Sequence, residues 1–446
     1  MNKSKKLGGK TIFNLILFGL MGQLAWAVEN QFFNTFLYND VGGTSQDISH
    51  MVAWSAVAAV LTTLIMGTLS DKVNKRKIFI CGGYIFWGIT VCAFAFITRD
   101  NIANLFGLTD ADKIRIMTVN AVIVMDCLMT FMGSTGNDAA FNAWVTDITC
   151  DENRATTESI LSILGVAAVV IITVAFPLSA EMLGYPTSFL GLGALVIVCG
   201  IIGFFTLEDS LTGEKKESNF FGDLIYGFKP SVIKENKALY LALVSVCFYN
   251  IAVQCFFPYI FIYLQHYLNF DFNTVLGSLT PPVIAVAVVV VLAVVVGLIF
   301  IGKLVDKFGK SMFVFPTIIL FIIGLAFASK AGKLMTFAIA AVPVLVGYGL
   351  LMIILNAAVR DFTPEDKVGQ FQGIRMIFVV LIPMVIGPAI GNAVTDKYAV
   401  GQYLNDYEEL VNIPVPQIFL ASAVVSVFIL IPVVFLRKTW KEREGK

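Results

Sequence analysis

The feature that most constrains this chain is a series of apolar runs, each about as long as the roughly 20 residues that a helix needs to cross a bilayer. Strands of a membrane β-barrel would be shorter and would alternate apolar with polar residues, which these runs do not. Hydrophobic residues make up 57% of the 446 residues and charged residues 14%. A soluble domain of this size carries more polar surface. The sequence therefore predicts an all-α, polytopic membrane protein.

The apolar runs predict twelve transmembrane helices in two sets of six. They cover 11–38, 48–70, 78–97, 116–146, 155–182 and 187–206, and then 238–266, 275–302, 312–330, 334–360, 368–396 and 413–436. A charged stretch separates the two sets. We therefore predict an N-terminal six-helix bundle at 1–206, a cytoplasmic linker at 207–237 and a C-terminal six-helix bundle at 238–446.

The basic residues predict the orientation of these helices. Two sets of six spans place both termini and the linker on one side of the membrane. Most lysines and arginines fall on that side, which the positive-inside rule assigns to the cytoplasm. We therefore predict a multi-pass protein of the plasma or inner membrane with cytoplasmic N- and C-termini.

Composition also excludes several classes of function. The net charge is zero, so nothing indicates nucleic acid. The seven cysteines show no paired spacing and the two histidines are isolated, so we predict no metal site. The predicted helices contain no nucleophile–base pair and no phosphate loop. We therefore predict that the protein is not an enzyme and needs no cofactor. We also predict a monomer, with the bilayer and a small-molecule substrate as its partners.

Two sequence landmarks occur in both halves of the chain. The stretch 67–77, GTLSDKVNKRK, is echoed by GKLVDKFGK at 302–310. The stretch 142–149, NAWVTDIT, is echoed by NAAVRDFT at 356–363. Because the landmarks follow in the same order in each half, they indicate an internal duplication.

With twelve spans, a long middle linker and the signature Gly-x-Leu-Ser-Asp-Lys between spans 2 and 3, the chain resembles the major facilitator superfamily. The resemblance implies two pseudo-symmetric bundles that rock around a central site lined by helices 1, 4, 7 and 10. It also implies a cytoplasmic gate at the repeated landmarks. The residues expected in this gate are Gly67, Asp71, Arg76, Asp147, Gly302, Asp306, Asp361 and Arg375. Arg375 can pair with an acid of this gate or extend to the membrane surface, and for this residue we favour the structural role.

Polar side chains inside the spans are the candidates for a substrate site, because hydrocarbon penalises each one that lacks a partner. Amides can donate to and accept from hydroxyl groups, and an aromatic ring can stack on the apolar face of a sugar. The predicted helices contain no cluster of arginines at mid-depth, so the sequence does not indicate a phosphorylated substrate. The substrate candidates on helices 1, 4, 7 and 10 are Gln23, Trp26, Asn30, Asn34, Asn137, Asp138, Asn142, Asn250, Gln254, Tyr348 and Asn356.

Three acids are candidates for coupling transport to a cation: Glu29, Asp126 and Asp138. At the helical rise of 1.5 Å per residue, Glu29 and Asp126 both lie ~14 Å below the outer surface. If helices 1 and 4 are neighbours, this pair can share a proton or a cation. The alternative is that each acid bonds to a neighbouring helix and stabilises the bundle.

Shorter stretches favour one branch of the superfamily. Asp138–Asn142, DAAFN, with the following TDIT at 146–149, resembles helix 4 of the glycoside-pentoside-hexuronide cation symporters. The stretch QLAWA at 23–27 is similar to helix 1 of the sucrose-type carriers. This resemblance implies that Asp138 contacts both sugar and cation. Helix 2 lacks that branch's acids over 60–64, so we favour a proton over sodium, with uncoupled transport as an alternative.

The sequence therefore predicts a secondary active transporter of a sugar or glycoside, working by symport with a proton or another cation. One alternative is an exporter or flippase of an amphipathic compound or lipid. Drug antiporters of the superfamily usually carry a Gly-Pro pair on helix 5, and the stretch 164–175 has none. An alternative of another class is a membrane sensor that does not transport.

Overall fold

A computed structural model describes residues 7–73, 75–149, 151–209, 226–270, 310–364, 368–404 and 409–443. The chain divides into two compact units, Met1–Ser218 and Asn219–Lys446. The boundary between them lies within the predicted linker, 207–237. Over the described residues, ten helices are long and apolar enough to cross a membrane. The prediction of a helical membrane protein is therefore confirmed.

The described part of the N-terminal unit is built from long helices that pack side by side. They are α1 (Gly9–Asn39), α2 (Ser45–Val73), α3 (Arg76–Phe96), α4 (Ala111–Ile148) and α5 (Asp151–Thr206). The short helix Arg99–Phe106 connects α3 to α4. Gly184 interrupts α5 with φ 79° and ψ 157°, a conformation that glycine adopts readily. Gly184 therefore separates the parts of α5 that correspond to the fifth and the sixth predicted helices.

The described part of the C-terminal unit also consists mainly of helices. After the short helix Pro230–Glu235 come α6 (Lys237–Tyr267), α7 (Lys310–Ala328), α8 (Leu334–Phe362), α9 (Val368–Met376 continuing through Ile382–Tyr398) and α10 (Gln417–Val427 continuing as Leu430–Arg443). The predicted helix at 275–302 lies outside the described residues. The total of twelve spans therefore stays a prediction.

A small β-hairpin precedes α10 and was not predicted. Strand β1 (Gln402–Leu404) pairs antiparallel with β2 (Leu410–Asn412), placing Tyr403 opposite Val411. The ring of Tyr403 stacks on His266 at the end of α6, with 3.8 Å between ring centroids. The hairpin is thus held to α6, which is a contact distant in sequence.

Among the described residues, four membrane helices contain a π-helical turn. These turns are Glu29–Phe33 in α1, Ser134–Phe141 in α4, Tyr263–Tyr267 in α6 and Ile377–Leu381 in α9. Such turns are rare and are often found at functional sites. Two of them contain acids that the sequence singles out, Glu29 and Asp138.

Close glycine contacts hold α3 against its neighbours in the N-terminal unit. A Cβ atom added to Gly88 would lie 2.5 Å from the carbonyl oxygen of Gly193 on α5. One added to Gly83 would lie 2.6 Å from Cα of Gly136 on α4. Small residues let helix backbones approach closely in a membrane, where packing rather than burial from water drives association.

We expect Gly88→Ala to destabilise the N-terminal unit, because the new methyl group has no space against α5. Overpacking of this kind typically costs about 1–3 kcal/mol. Gly82→Ala is the matched control, since nothing lies within 4 Å of a Cβ at that position of the same helix. Thermal unfolding of the two purified variants in detergent measures the effect. Equal unfolding temperatures for the two variants would contradict the described contact.

Candidate functional site

The first polar cluster of the N-terminal unit surrounds the carboxyl group of Glu29. Its Oε1 atom accepts hydrogen bonds from Ser55 Oγ of α2 at 3.1 Å and from Thr130 Oγ1 of α4 at 3.2 Å. The two hydroxyl oxygens lie 2.8 Å apart. Ser55 also lies beside Asp126, which is one turn before Thr130 and is 2% exposed. Helices α1, α2 and α4 thus bring the two acids into one cluster.

This carboxyl pair has fewer donors than its oxygens require. Glu29 Oε2 and Asp126 Oδ1 are buried and have no hydrogen-bond partner among the described residues. The other charged groups that act on Glu29 are both carboxyls, Asp126 and Asp138. Two hydroxyl protons cannot satisfy two buried carboxylates, and an uncompensated buried charge is costly. The cluster has the chemistry of a site for a proton or a small cation.

The second cluster surrounds Asp138, in the π-helical turn of α4. Its Oδ2 atom accepts a hydrogen bond from Ser134 Oγ at 2.9 Å, and Oδ1 accepts one from Asn137 Nδ2 at 3.1 Å. The side chain of Trp26 on α1 lies beside the same carboxyl group. Because both oxygens have donors, this carboxylate is held in a fixed orientation as an acceptor.

Aromatic rings from α1 and α3 lie beside Asp138. Trp26 packs on Trp87 with ring centroids 4.8 Å apart, and Trp87 lies 5.5 Å from Tyr84. Asp138 and Trp26 are half-buried, whereas Trp87 and Tyr84 are buried. The cluster therefore presents an oriented carboxylate next to an aromatic side chain that is partly accessible.

Several predicted substrate residues donate back to their own helix. The amide nitrogens that bond to a carbonyl oxygen four residues earlier belong to Asn30 (2.7 Å), Asn34 (3.3 Å), Asn142 (3.1 Å) and Asn356 (2.9 Å). Asn34 is only 3% exposed. These bonds leave fewer amide donors for a substrate. Gln23, by contrast, is exposed.

In the C-terminal unit the predicted substrate residues lie at helix contacts. Asn250 donates from Nδ2 to the carbonyl of Val379, in the π-helical turn of α9, at 2.8 Å. A Cβ at Gly387 would lie 2.4 Å from Cβ of Gln254, so α6 and α9 touch there. The carbonyl of Tyr348 accepts a 2.9 Å hydrogen bond from the hydroxyl of Tyr249. These contacts hold α6 against α8 and α9.

The two repeated landmarks of the first half meet through Arg76. Its Nε donates to Asp147 Oδ2 at 3.2 Å, and its Nη1 donates to Ser70 Oγ at 2.5 Å. Ser70 in turn donates to the carbonyl of Gly67 at 2.9 Å. Arg76 is 5% exposed, whereas the side chain of Asp147 is 24% exposed, so this ion pair is partly shielded from solvent. It joins α2, α3 and α4 at the predicted cytoplasmic end.

Only part of the predicted gate falls on described residues. Gly302, Asp306 and the side chain of Asp71 lie outside them. Asp361 lies in the last turn of α8, and Arg375 is half-buried in α9.

Five residues supply hydroxyl groups to these clusters and were not predicted as site residues: Ser55, Thr130, Ser134, Tyr84 and Ser70. Serine and threonine in apolar runs are a weak signal, because they commonly bond to their own helix. Thr135, for example, donates to the carbonyl of Phe131 at 2.7 Å. Only Ser70 lies in a recognisable motif.

Comparisons with known proteins agree with this architecture. The family model described as the Major Facilitator Superfamily matches residues 15–296 and 279–446. The chain is similar to the crystal structure of the nucleoside transporter NupG, with TM-score 0.67, 12% identity, and coverage of 95% of this chain and 98% of that chain. It is also similar to the crystal structure of a bacterial homologue of the human lysosomal transporter Spinster in an inward-facing, unoccupied conformation. That comparison has TM-score 0.65 and 14% identity, and it covers 98% of this chain and 99% of that chain.

No curated protein matches the chain in sequence. At identities this low, the two solved structures show the fold alone, and the family assignment rests on the model that matches both halves. The chain belongs to the Major Facilitator Superfamily and is a multi-pass membrane transporter rather than an enzyme.

Proposed function

We propose that this transporter moves a sugar or glycoside by alternating access, in symport with a proton or another cation. The observation that supports the proposal is the presence of two different carboxyl centres in one unit. Both oxygens of Asp138 accept a hydrogen bond, whereas the pair of Glu29 and Asp126 has buried oxygens without a donor among the described residues. The first centre suits a substrate that donates hydrogen bonds, and the second suits a positive charge.

Asp138 is the proposed anchor for a hydroxyl group of the substrate. A carboxylate has about four acceptor sites, and two observed hydrogen bonds from the protein reach this one. Its remaining acceptor capacity can take a donor from a sugar. The partly accessible ring of Trp26 offers an apolar face for the C–H side of the same sugar. Hydroxyl groups and an apolar face together are typical of sugars and glycosides.

We favour a proton as the coupling ion at Glu29 and Asp126. A single proton relieves the repulsion between two buried carboxylates and needs no shell of further oxygen ligands. Closure of the transporter around its cargo requires this pair to leave water. A charged pair makes that step costly, while a neutralised pair makes it feasible. Substrate and proton would then favour the same closed state, which couples their movement.

A nucleoside is the second candidate substrate. NupG, whose crystal structure resembles this chain, is named as a nucleoside transporter. A nucleoside also combines hydroxyl donors with a flat, stackable ring, so the same residues would suit it. An exported amphipathic compound or lipid is the remaining transport alternative, and it makes no use of an oriented carboxylate. A sensor that does not transport is the alternative of another class.

Uptake into proteoliposomes tests the proposed substrate and ion together. Radiolabelled mono- and disaccharides and one nucleoside would be offered under an imposed pH gradient, a sodium gradient or none. We expect accumulation of a sugar driven by the pH gradient alone. Accumulation driven only by sodium would contradict the choice of ion. Accumulation of the nucleoside alone would contradict the choice of substrate, and no uptake of any compound would contradict both.

We expect Glu29→Gln and Asp126→Asn to abolish accumulation while sugar exchange across the membrane continues, because exchange needs no net movement of the ion.

Asp138→Asn should lose both activities. Losing hydrogen bonds to a charged group costs about 1.5–3 kcal/mol, so sugar affinity should fall roughly 10- to 100-fold. Asp112→Asn is the control, since Asp112 is an exposed acid in the first turn of the same helix as Asp126.

The readouts for these variants are gradient-driven uptake and counterflow in the same proteoliposomes. Wild-type accumulation in both Glu29→Gln and Asp126→Asn would remove the pair from the mechanism. Wild-type affinity in Asp138→Asn would remove the proposed sugar anchor.

A further inference from the structure

Beside the proposed sugar anchor lies a buried tyrosine that the transport proposal does not use. Tyr84 on α3 is 0% exposed, and its hydroxyl lies 2.9 Å from Asn137 Oδ1 of α4. The same hydroxyl lies 2.7 Å from the carbonyl oxygen of Phe18 on α1. Asn137 Nδ2 donates a hydrogen bond to Asp138 Oδ1 at 3.1 Å. A continuous chain of hydrogen bonds therefore runs from Tyr84 through Asn137 to Asp138.

We propose that Tyr84 is a positioning residue that orients the carboxylate of Asp138 through the side-chain amide of Asn137. The proposal rests on the proposed function in one respect, which is that Asp138 contacts the substrate. It adds that substrate affinity depends on a hydroxyl group that never touches the substrate. It also assigns Asn137, a predicted substrate residue, to the support of Asp138 rather than to direct contact.

The chemistry of the donors and acceptors fixes the direction of this series of hydrogen bonds. An ionised carboxylate can only accept hydrogen bonds, so the amide must turn Nδ2 toward Asp138. That orientation leaves Oδ1 facing Tyr84, and Oδ1 needs a donor because Asn137 is 6% exposed. The tyrosine hydroxyl, shared with the Phe18 carbonyl, supplies this donor. Without it, the amide loses the contact that keeps its nitrogen on Asp138.

The packing around these hydrogen bonds leaves little room for another group to replace the tyrosine hydroxyl. A Cβ at Gly22 of α1 would lie 2.4 Å from Asn137 Oδ1 and 2.6 Å from the Tyr84 hydroxyl. The Tyr84 ring is held at the edge of Phe18, with centroids 4.9 Å apart. The close approach of Gly83 to Gly136 brings α3 against the π-helical turn that carries Asn137 and Asp138. Three helices thus fix the hydroxyl and the amide together.

The test is a double-variant cycle on uptake of the radiolabelled sugar that wild type accumulates most. We expect Tyr84→Phe and Asn137→Ala each to raise KM about tenfold, with maximal rate and proton-to-sugar stoichiometry unchanged. The double variant should also show about a tenfold rise in KM, because both changes break the same series of hydrogen bonds. A roughly hundredfold rise would mean independent effects, and an unchanged KM in Tyr84→Phe would mean no effect. Either result would overturn the proposal.

Tyr259→Phe is the control for removing a buried tyrosine hydroxyl. Tyr259 is also 0% exposed and donates to a backbone carbonyl, that of Pro388, at 2.8 Å. We expect this variant to keep the wild-type KM. If Tyr84→Phe does not fold, Gly22→Ala perturbs the same amide and the same hydroxyl without removing either. An unchanged KM in a folded Gly22→Ala protein would then overturn the proposal.

A spectroscopic readout separates this proposal from the proposed function. The infrared difference between wild type and Asp138→Asn isolates the carboxylate band of Asp138 without any substrate. We expect that band to shift in Tyr84→Phe and to stay unchanged in Tyr259→Phe. A shift without sugar transport would support the positioning role and contradict the sugar assignment. An unshifted band would overturn the positioning role whatever the substrate.

Discussion

The carboxyl groups of Glu29 and Asp126 impose the constraint on which the rest of this account depends. Two acids in a low-dielectric bundle need compensation, and the described residues offer Oε1 of Glu29 two hydroxyl donors while two other oxygens have none. Both oxygens of the nearby Asp138 accept a hydrogen bond. The same unit thus holds one carboxylate with a donor on each oxygen and one pair with oxygens that lack a donor. The proposed coupling of sugar to a proton rests on this difference.

Local backbone geometry and close packing make both clusters possible. The π-helical turns at Glu29–Phe33 and Ser134–Phe141 carry Glu29 and Asp138. Glycines at the contacts of α3 with α4 and α5 bring buried side chains such as Tyr84 within reach of α1 and α4. The ion pair of Arg76 with Asp147 ties the other end of α3 to α4. Polar chemistry in this unit therefore rests on tight helix contacts.

Much of this fold follows from its sequence, because the length of the apolar runs decides where membrane helices lie. The regular rise of a helix also placed Glu29 and Asp126 at one depth, and the structure brings them into one cluster. The hydroxyls of Ser55 and Thr130 could not be assigned, because such groups usually bond to their own helix. The role of Asn137 depends on Tyr84 from another helix, and a π-helical turn leaves no clear mark in an apolar run.

Labelling with a hydrophobic carbodiimide tests the central claim most directly, because this reagent modifies protonated carboxyls within a membrane. Purified wild-type protein would be labelled near neutral pH, and the modified peptides would be identified by mass spectrometry. We expect a label on Glu29 or Asp126, loss of that label as the pH is raised, and no label on Asp138. A label on Asp138 with none on the pair would contradict the assignment of the two centres.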